Sequence, residues 1–248
     1  MSARAQLYDV IGAGYREHRR PDSRIVAAIT AALSDAATVV NVGAGAGSYE
    51  PTDRPVVAVE PSATMIAQRR PGAAPVVQAS ATHLPFRDAS FAAVLAVLTI
   101  HHWPDRPGGL AELARVARER VVLFTWDPAG PGFWLVDEYF PEIVTLDRPI
   151  FPSLEELGRR LGPLEVRPIL VPHDCTDGFL GAYWRRPEAY LDAGVRLAIS
   201  TFSKVRDVEP GLARLRRDLA DGTWHARHAD LLDRTELDLG YRLVVARR

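Results

Sequence analysis

Asn41-Val42-Gly43-Ala44-Gly45-Ala46-Gly47-Ser48-Tyr49 follows an apolar run, Thr38 to Val42, that reads as a buried strand. Three glycines after a buried strand form a turn in which the backbone approaches a ligand and takes angles closed to larger residues. The spacing is G-x-G-x-G. A dinucleotide fingerprint places its third glycine one residue later, and a phosphate-cradling loop needs a Gly-Lys-Ser/Thr that is missing here. Glu60 closes the next strand, where a carboxylate receives both hydroxyls of a ribose. An adenosyl ligand without phosphates accounts for both features.

Working outward from this loop, residues 21–120 alternate short β-rich runs with helical spacing, the signature of a parallel sheet covered on both faces. Strands are expected at 38–42, 56–59, 75–80, 91–99 and 120–125, with helices at 24–33, 62–70 and 110–117. Two further strands at 165–171 and 237–246 bring the sheet to seven. The fold expected is α/β and Rossmann-like, a mostly parallel sheet with a helical insertion or lid before the last strand. The chain divides into an N-terminal cap helix (1–20), a core (21–127), a substrate-side half (128–236, with the insertion near 178–225) and a last strand (237–248). Helical patterns in the second half fall at 153–161, 187–203 and 209–220.

Three segments in this frame resemble the class I S-adenosylmethionine (SAM)-dependent methyltransferases, particularly the small-molecule branch similar to the ubiquinone and menaquinone biosynthesis enzymes. They are the glycine loop, Val59-Glu60-Pro61-Ser62-Ala63-Thr64-Met65 and Ala79-Ser80-Ala81-Thr82-His83-Leu84-Pro85-Phe86. The resemblance spans about residues 36–127. It implies SAM as cofactor and S-adenosylhomocysteine (SAH) as product. Asn41, Gly43, Ala44 and Gly45 would hold the methionine part, Glu60 the ribose, and Pro61 and Met65 the adenine. Ser80 stands where the family often carries an aspartate on the adenine amino group, with Ala81 offering backbone beside it. Ala92 likewise replaces a frequent aspartate.

Thr99-Ile100-His101-His102-Trp103-Pro104-Asp105 ends the fourth strand, beyond whose carboxyl end open α/β sheets bind ligands. Thr99 is expected against the cofactor and Trp103 against the substrate. His102 leads as general base, with His101 and His173 behind it, because imidazole accepts a proton near neutral pH. Bland readings stand beside these roles: one histidine orders the strand end, and the other caps the next turn. Asp174, in His173-Asp174-Cys175-Thr176-Asp177-Gly178, reaches the same edge if its strand runs parallel to the first five; a turn held by the aspartates is the alternative. Trp126, Trp134 and Tyr183 are expected to wall an apolar substrate pocket, against ordinary lid packing.

Composition excludes several partners. The 248 residues are 47% hydrophobic and 25% charged with a net charge of -1, the profile of an ordinary globular chain. Lys204 is the only lysine among 30 basic residues, and this balance argues against nucleic acid as substrate. Cys175 is the single cysteine, so intrachain disulfides and thiolate-rich metal sites are impossible. His225-x-x-His228 has no evident third ligand, and no metal is expected. Charges and tyrosines at the N-terminus and the lack of a long apolar run point to a cytoplasmic monomer or homodimer without membrane contact. The function expected is methyl transfer to an O, N or C nucleophile of a small metabolite, the alternative being a SAM-fold protein that binds SAM or SAH without transferring a methyl group.

Overall fold

A computed structural model describes residues 18–248. The cap helix expected over 1–20 has its residues 1–17 outside that range. Helix α1 (Ser23–Leu33) starts where the Asp22 carboxylate accepts a hydrogen bond from Arg24 N at 3.0 Å, which satisfies one orphan donor of the first turn. Its Ile25, Ile29 and Leu33 recur at helical spacing and are buried.

Strand β1 (Val39–Val42) is buried throughout, as a central parallel strand covered on both faces must be. It pairs in parallel with β2 (Val56–Val59) and β4 (Phe91–Val97), with β3 (Val76–Val77) outside β2 and β5 (Ala117–Trp126) outside β4. The full seven-stranded order is β3-β2-β1-β4-β5-β7-β6. Strand β7 (Glu236–Arg247) is antiparallel to both neighbours, so β6 (Leu164–Pro172) points the same way as the first five. The carboxyl ends of six strands therefore share one edge of the sheet.

Side chains of period two sort onto two faces. Val122 and Phe124 of β5 join α1 on one face, whereas Val121 and Leu123 face α3 (Arg106–Val116) on the other. Among the described residues no helix is long and apolar enough to cross a membrane.

Several elements are shorter than the sequence patterns indicate. Strand β4 stops at Val97 because Leu98 adopts φ 46°, and α2 (Ala63–Ala67) covers only part of 62–70. The lid breaks into pieces. Between β5 and β6 lie a wide turn at Leu135–Tyr139, α4 (Glu142–Asp147) and α5 (Leu154–Leu161). The helix expected over 187–203 is interrupted where Asp192 turns extended and its carboxylate accepts from Gly194 N and Val195 N, restarting the chain as α6 (Ala193–Leu197). Beyond it, α7 (Glu209–Ala220), α8 (Thr223–Arg227) and α9 (Ala229–Leu232) lead into β7. Trp134, Trp184, Tyr190 and Trp224 from these pieces belong to the same buried cluster as α1.

Candidate active site

The turn after β1 is shaped by positive φ angles at Gly43, Gly45 and Gly47 (72°, 54° and 94°), a conformation that glycine adopts without strain. Gly43 N and Ala44 N both donate to Val59 O, at 2.8 and 3.0 Å, which ties the loop to the end of β2. A Cβ at Gly43 would overlap the Thr99 side chain at the end of β4. The glycine thus lets two strand ends meet around one cleft.

Glu60 locks the loop from the other side. Its Oε2 accepts from Gly45 N at 2.8 Å and its Oε1 from Ser62 N at 2.9 Å, and the residue is only 7% exposed. Burial pushes its carboxyl above the ordinary value, opposed by those two amide donors and by the Arg69 guanidinium. Each carboxylate oxygen carries two lone pairs, so both can still accept another hydroxyl hydrogen. Ser62 caps α2 through Met65 N, and the buried Met65 brings its Cε against the loop at Gly45.

A second brace has no motif. Arg69 and Glu50 form a buried ion pair at 2.7 Å; Arg69 also donates to Gly45 O, and Glu50 accepts from Asn41 Nδ2 at 3.3 Å. These residues were not singled out in the sequence, because the arginine and glutamate meet only after the chain has crossed from α2 back to the loop. Asn41 Oδ1 is buried and has no hydrogen-bond partner among the described residues, an orphaned polar atom beside the cleft.

The cleft has a volume of about 520 Å³, within the ~300–1,000 Å³ typical of small-molecule sites. Asn41, Gly43, Ala44, Gly45, Glu60, Pro61, Met65, Ser80, Ala81 and Thr99 all line it, as does Trp103. Ser80 stands at the exposed rim, its hydroxyl 2.9 Å from that of Thr82. These residues fit an adenosyl ligand: a backbone cradle, a carboxylate at the strand end and an apolar wall.

A second, smaller cavity of about 160 Å³ adjoins the cleft; Leu98, His102 and Arg19 line both. Leu98, at φ 46°, is a non-glycine residue in a costly conformation at this junction, where strain of this kind tends to concentrate. His101 lines only the smaller cavity and stacks on Phe151 with ring centres 3.9 Å apart. Trp126 meets Phe151 edge on and anchors its indole Nε1–H on Leu239 O at 3.0 Å.

Four expected residues line neither cavity. The direction of β6 does bring His173-Asp174-Cys175-Thr176-Asp177-Gly178 to the ligand edge, but its polar groups tie down the start of α1. Asp174 is exposed and pairs with Arg24 at 2.7 Å, Thr176 N donates to Asp22, and the buried Asp177 receives Arg19 and the Tyr49 hydroxyl. His173 Nδ1 sits 2.9 Å from Arg185. Trp134 is core, donating Nε1–H to Trp184 O at 2.8 Å, and Tyr183 packs between Tyr190 and the Arg186 guanidinium. Arg19, Phe151 and Tyr241, which line the cavity, were not foreseen. They lie far from the glycine loop in sequence, and no local pattern marks them.

Glu60→Ala is expected to weaken SAH binding by about a hundredfold, because two charge-assisted hydrogen bonds of ~1.5–3 kcal/mol each would be lost. Isothermal calorimetry on the variant checks this, and unchanged affinity would remove Glu60 from the cofactor site.

Comparison with known proteins agrees with this geometry. The methyltransferase domain family model matches residues 40–125. A crystal structure from Anabaena variabilis ATCC 29413, described as a methyltransferase from an antibiotic biosynthesis pathway, is 34% identical with a TM-score of 0.84, covering 92% of this chain and 98% of its own. Two others share the fold: a SAM-dependent methyltransferase of Thermotoga maritima (16% identity, TM-score 0.58, 98% of each chain) and geranyl diphosphate C-methyltransferase of Streptomyces coelicolor A3(2), solved with Mg²⁺, geranyl diphosphate and SAH (18%, TM-score 0.51, 91% of this chain and 77% of its own). Built around a glycine loop, a strand-end carboxylate and a neighbouring cavity, this chain belongs to the SAM-dependent methyltransferases.

Proposed function

We propose that the protein methylates a small molecule held in the aromatic cavity, with His102 as the proton acceptor. The observation that carries this reading is the position of His102, which lines both the cofactor cleft and the cavity. The cofactor contributes an electrophilic methyl carbon on a sulfonium. Glu60 receives the ribose hydroxyls, the Gly43–Gly45 backbone holds the methionine end, and Pro61, Met65, Ser80 and Ala81 surround the adenine. His102 N donates to Thr99 O at 2.8 Å, fixing the helical turn that carries the imidazole to the junction. His101, buried and stacked on Phe151, supports that turn.

The chain's contribution to rate is then alignment of the nucleophile, exclusion of water and removal of one proton. His102→Gln is expected to lower kcat by about 10²–10⁴-fold, the usual contribution of a general base, while SAH affinity stays within about twofold. SAH release from a panel of small nucleophiles, with the methylated product weighed by mass spectrometry, tests both statements. Tight SAH binding without turnover of any nucleophile would favour a SAM-binding protein that does not transfer the methyl group. An unchanged kcat in the variant would remove the base.

A further inference from the structure

The smaller cavity contains one carboxylate that the cofactor cleft does not use. Asp147 closes α4, lines the cavity and is 6% exposed. Its Oδ2 accepts from the Thr201 hydroxyl at 2.6 Å. Its Oδ1 is buried and accepts no hydrogen bond among the described residues, with Lys204 Nζ 3.5 Å away. Burial pushes the carboxyl above its ordinary value, against the pull of Thr201 and Lys204. A carboxylate oxygen left short of a donor, in the last turn of a helix where the backbone dipole disfavours negative charge, destabilises the fold. That position makes sense if a ligand supplies the missing hydrogen.

The remaining walls set the ligand's shape. Trp126, Phe133, Phe151, Phe179 and Tyr241 surround the space. Its volume of about 160 Å³ matches the ~150 Å³ of an apolar cavity that takes up a benzene molecule. Phe151 presents its face to His101 and an edge arrangement to Trp126, contacts that a further ring can extend. The other charged side chains facing this space, Asp137 and Arg148, are exposed, while Arg19 is held by Asp177.

Resting on the methyl-transfer reading above, we infer that the substrate is a molecule of one aromatic ring bearing an O–H or N–H group that donates to Asp147 Oδ1. A second fused ring exceeds the space. A carboxylate or phosphate in place of the donor would meet Asp147 as a like charge, which the site rejects.

The test is calorimetric titration of phenol, aniline, anisole and 2-naphthol into the wild type and Asp147→Asn, each with and without saturating SAH. Phenol and aniline are expected to bind the wild type at least about tenfold tighter than anisole, which keeps the ring and lacks the donor. No binding is expected for 2-naphthol. Asp147→Asn should weaken phenol about fivefold or more, the difference between a charge-assisted and a neutral hydrogen bond, and leave anisole and SAH unchanged. Equal affinity for phenol and anisole, binding of 2-naphthol as tight as phenol, or undiminished phenol affinity in the variant would each overturn the inference. If SAH binds and the selectivity is missing, the inference falls alone; if the selectivity holds and SAH does not bind, the methyl-transfer reading falls and the donor site stands.

Discussion

Gly43→Ala is expected to abolish measurable SAM and SAH binding, a loss of about a hundredfold or more. Two independent costs combine at this position. The backbone sits at φ 72°, where a side chain costs of order 1 kcal/mol or more. The added methyl would also overlap the Thr99 side chain, whose backbone belongs to the end of β4 and the turn carrying His101 and His102. Relief requires the glycine loop and the β4 end to separate, which widens the cleft and undoes the hydrogen bonds from Gly43 N and Ala44 N to Val59 O. Calorimetry reads the loss directly, and circular dichroism confirms that the sheet survives. Wild-type affinity in Gly43→Ala would mean that the loop does not approach the cofactor.

Trp184→Ala carries the largest expected effect on stability, about 3–5 kcal/mol, the range for removing a fully buried aromatic side chain. Trp184 is fully buried in the lid; its Nε1–H bonds Val171 O at 2.9 Å, and its own carbonyl accepts from Trp134 Nε1 at 2.8 Å. The substitution opens a cavity, orphans a carbonyl of β6 and loosens the Trp134 anchor together. For a chain of this size the midpoint of thermal unfolding should fall by about 6–15 °C. Trp184→Phe, which keeps a ring and loses the indole donor, should fall by less than half as much. A drop below about 2 °C for Trp184→Ala would show that the lid is not part of the cooperative core.

What could be read from residues alone follows the range of the interactions involved. The glycine loop and Glu60 were legible because their constraint is local: a buried strand, a turn that only glycines make easily, and an acid at the next strand end. The order of the first five strands followed from short apolar runs alternating with helical spacing. Strand β4 was overrun to Thr99 because apolar character continues through Leu98 while the backbone turns left-handed there, and side-chain polarity carries no record of φ. The Arg69–Glu50 brace and the Asp147–Thr201 contact join residues 19 and 54 positions apart, and no periodicity marks either. The aspartates at 174 and 177 looked like ligand groups because their partners, Arg24 and Arg19, lie about 150 residues earlier. The aromatic residues of the second half were visible as a class, but whether one faces a cavity, as Trp126 does, or the core, as Trp134 does, depends on lid packing that composition does not encode.

The most direct measurement is a calorimetric titration of SAH into the folded wild-type protein beside Gly43→Ala. Saturable one-to-one binding to the wild type, lost in the variant, is the result expected of a cofactor held between the glycine loop and the ends of β2 and β4. Absence of heat with a folded wild type, or equal binding by both proteins, would contradict it and leave the glycine turn as a purely structural feature.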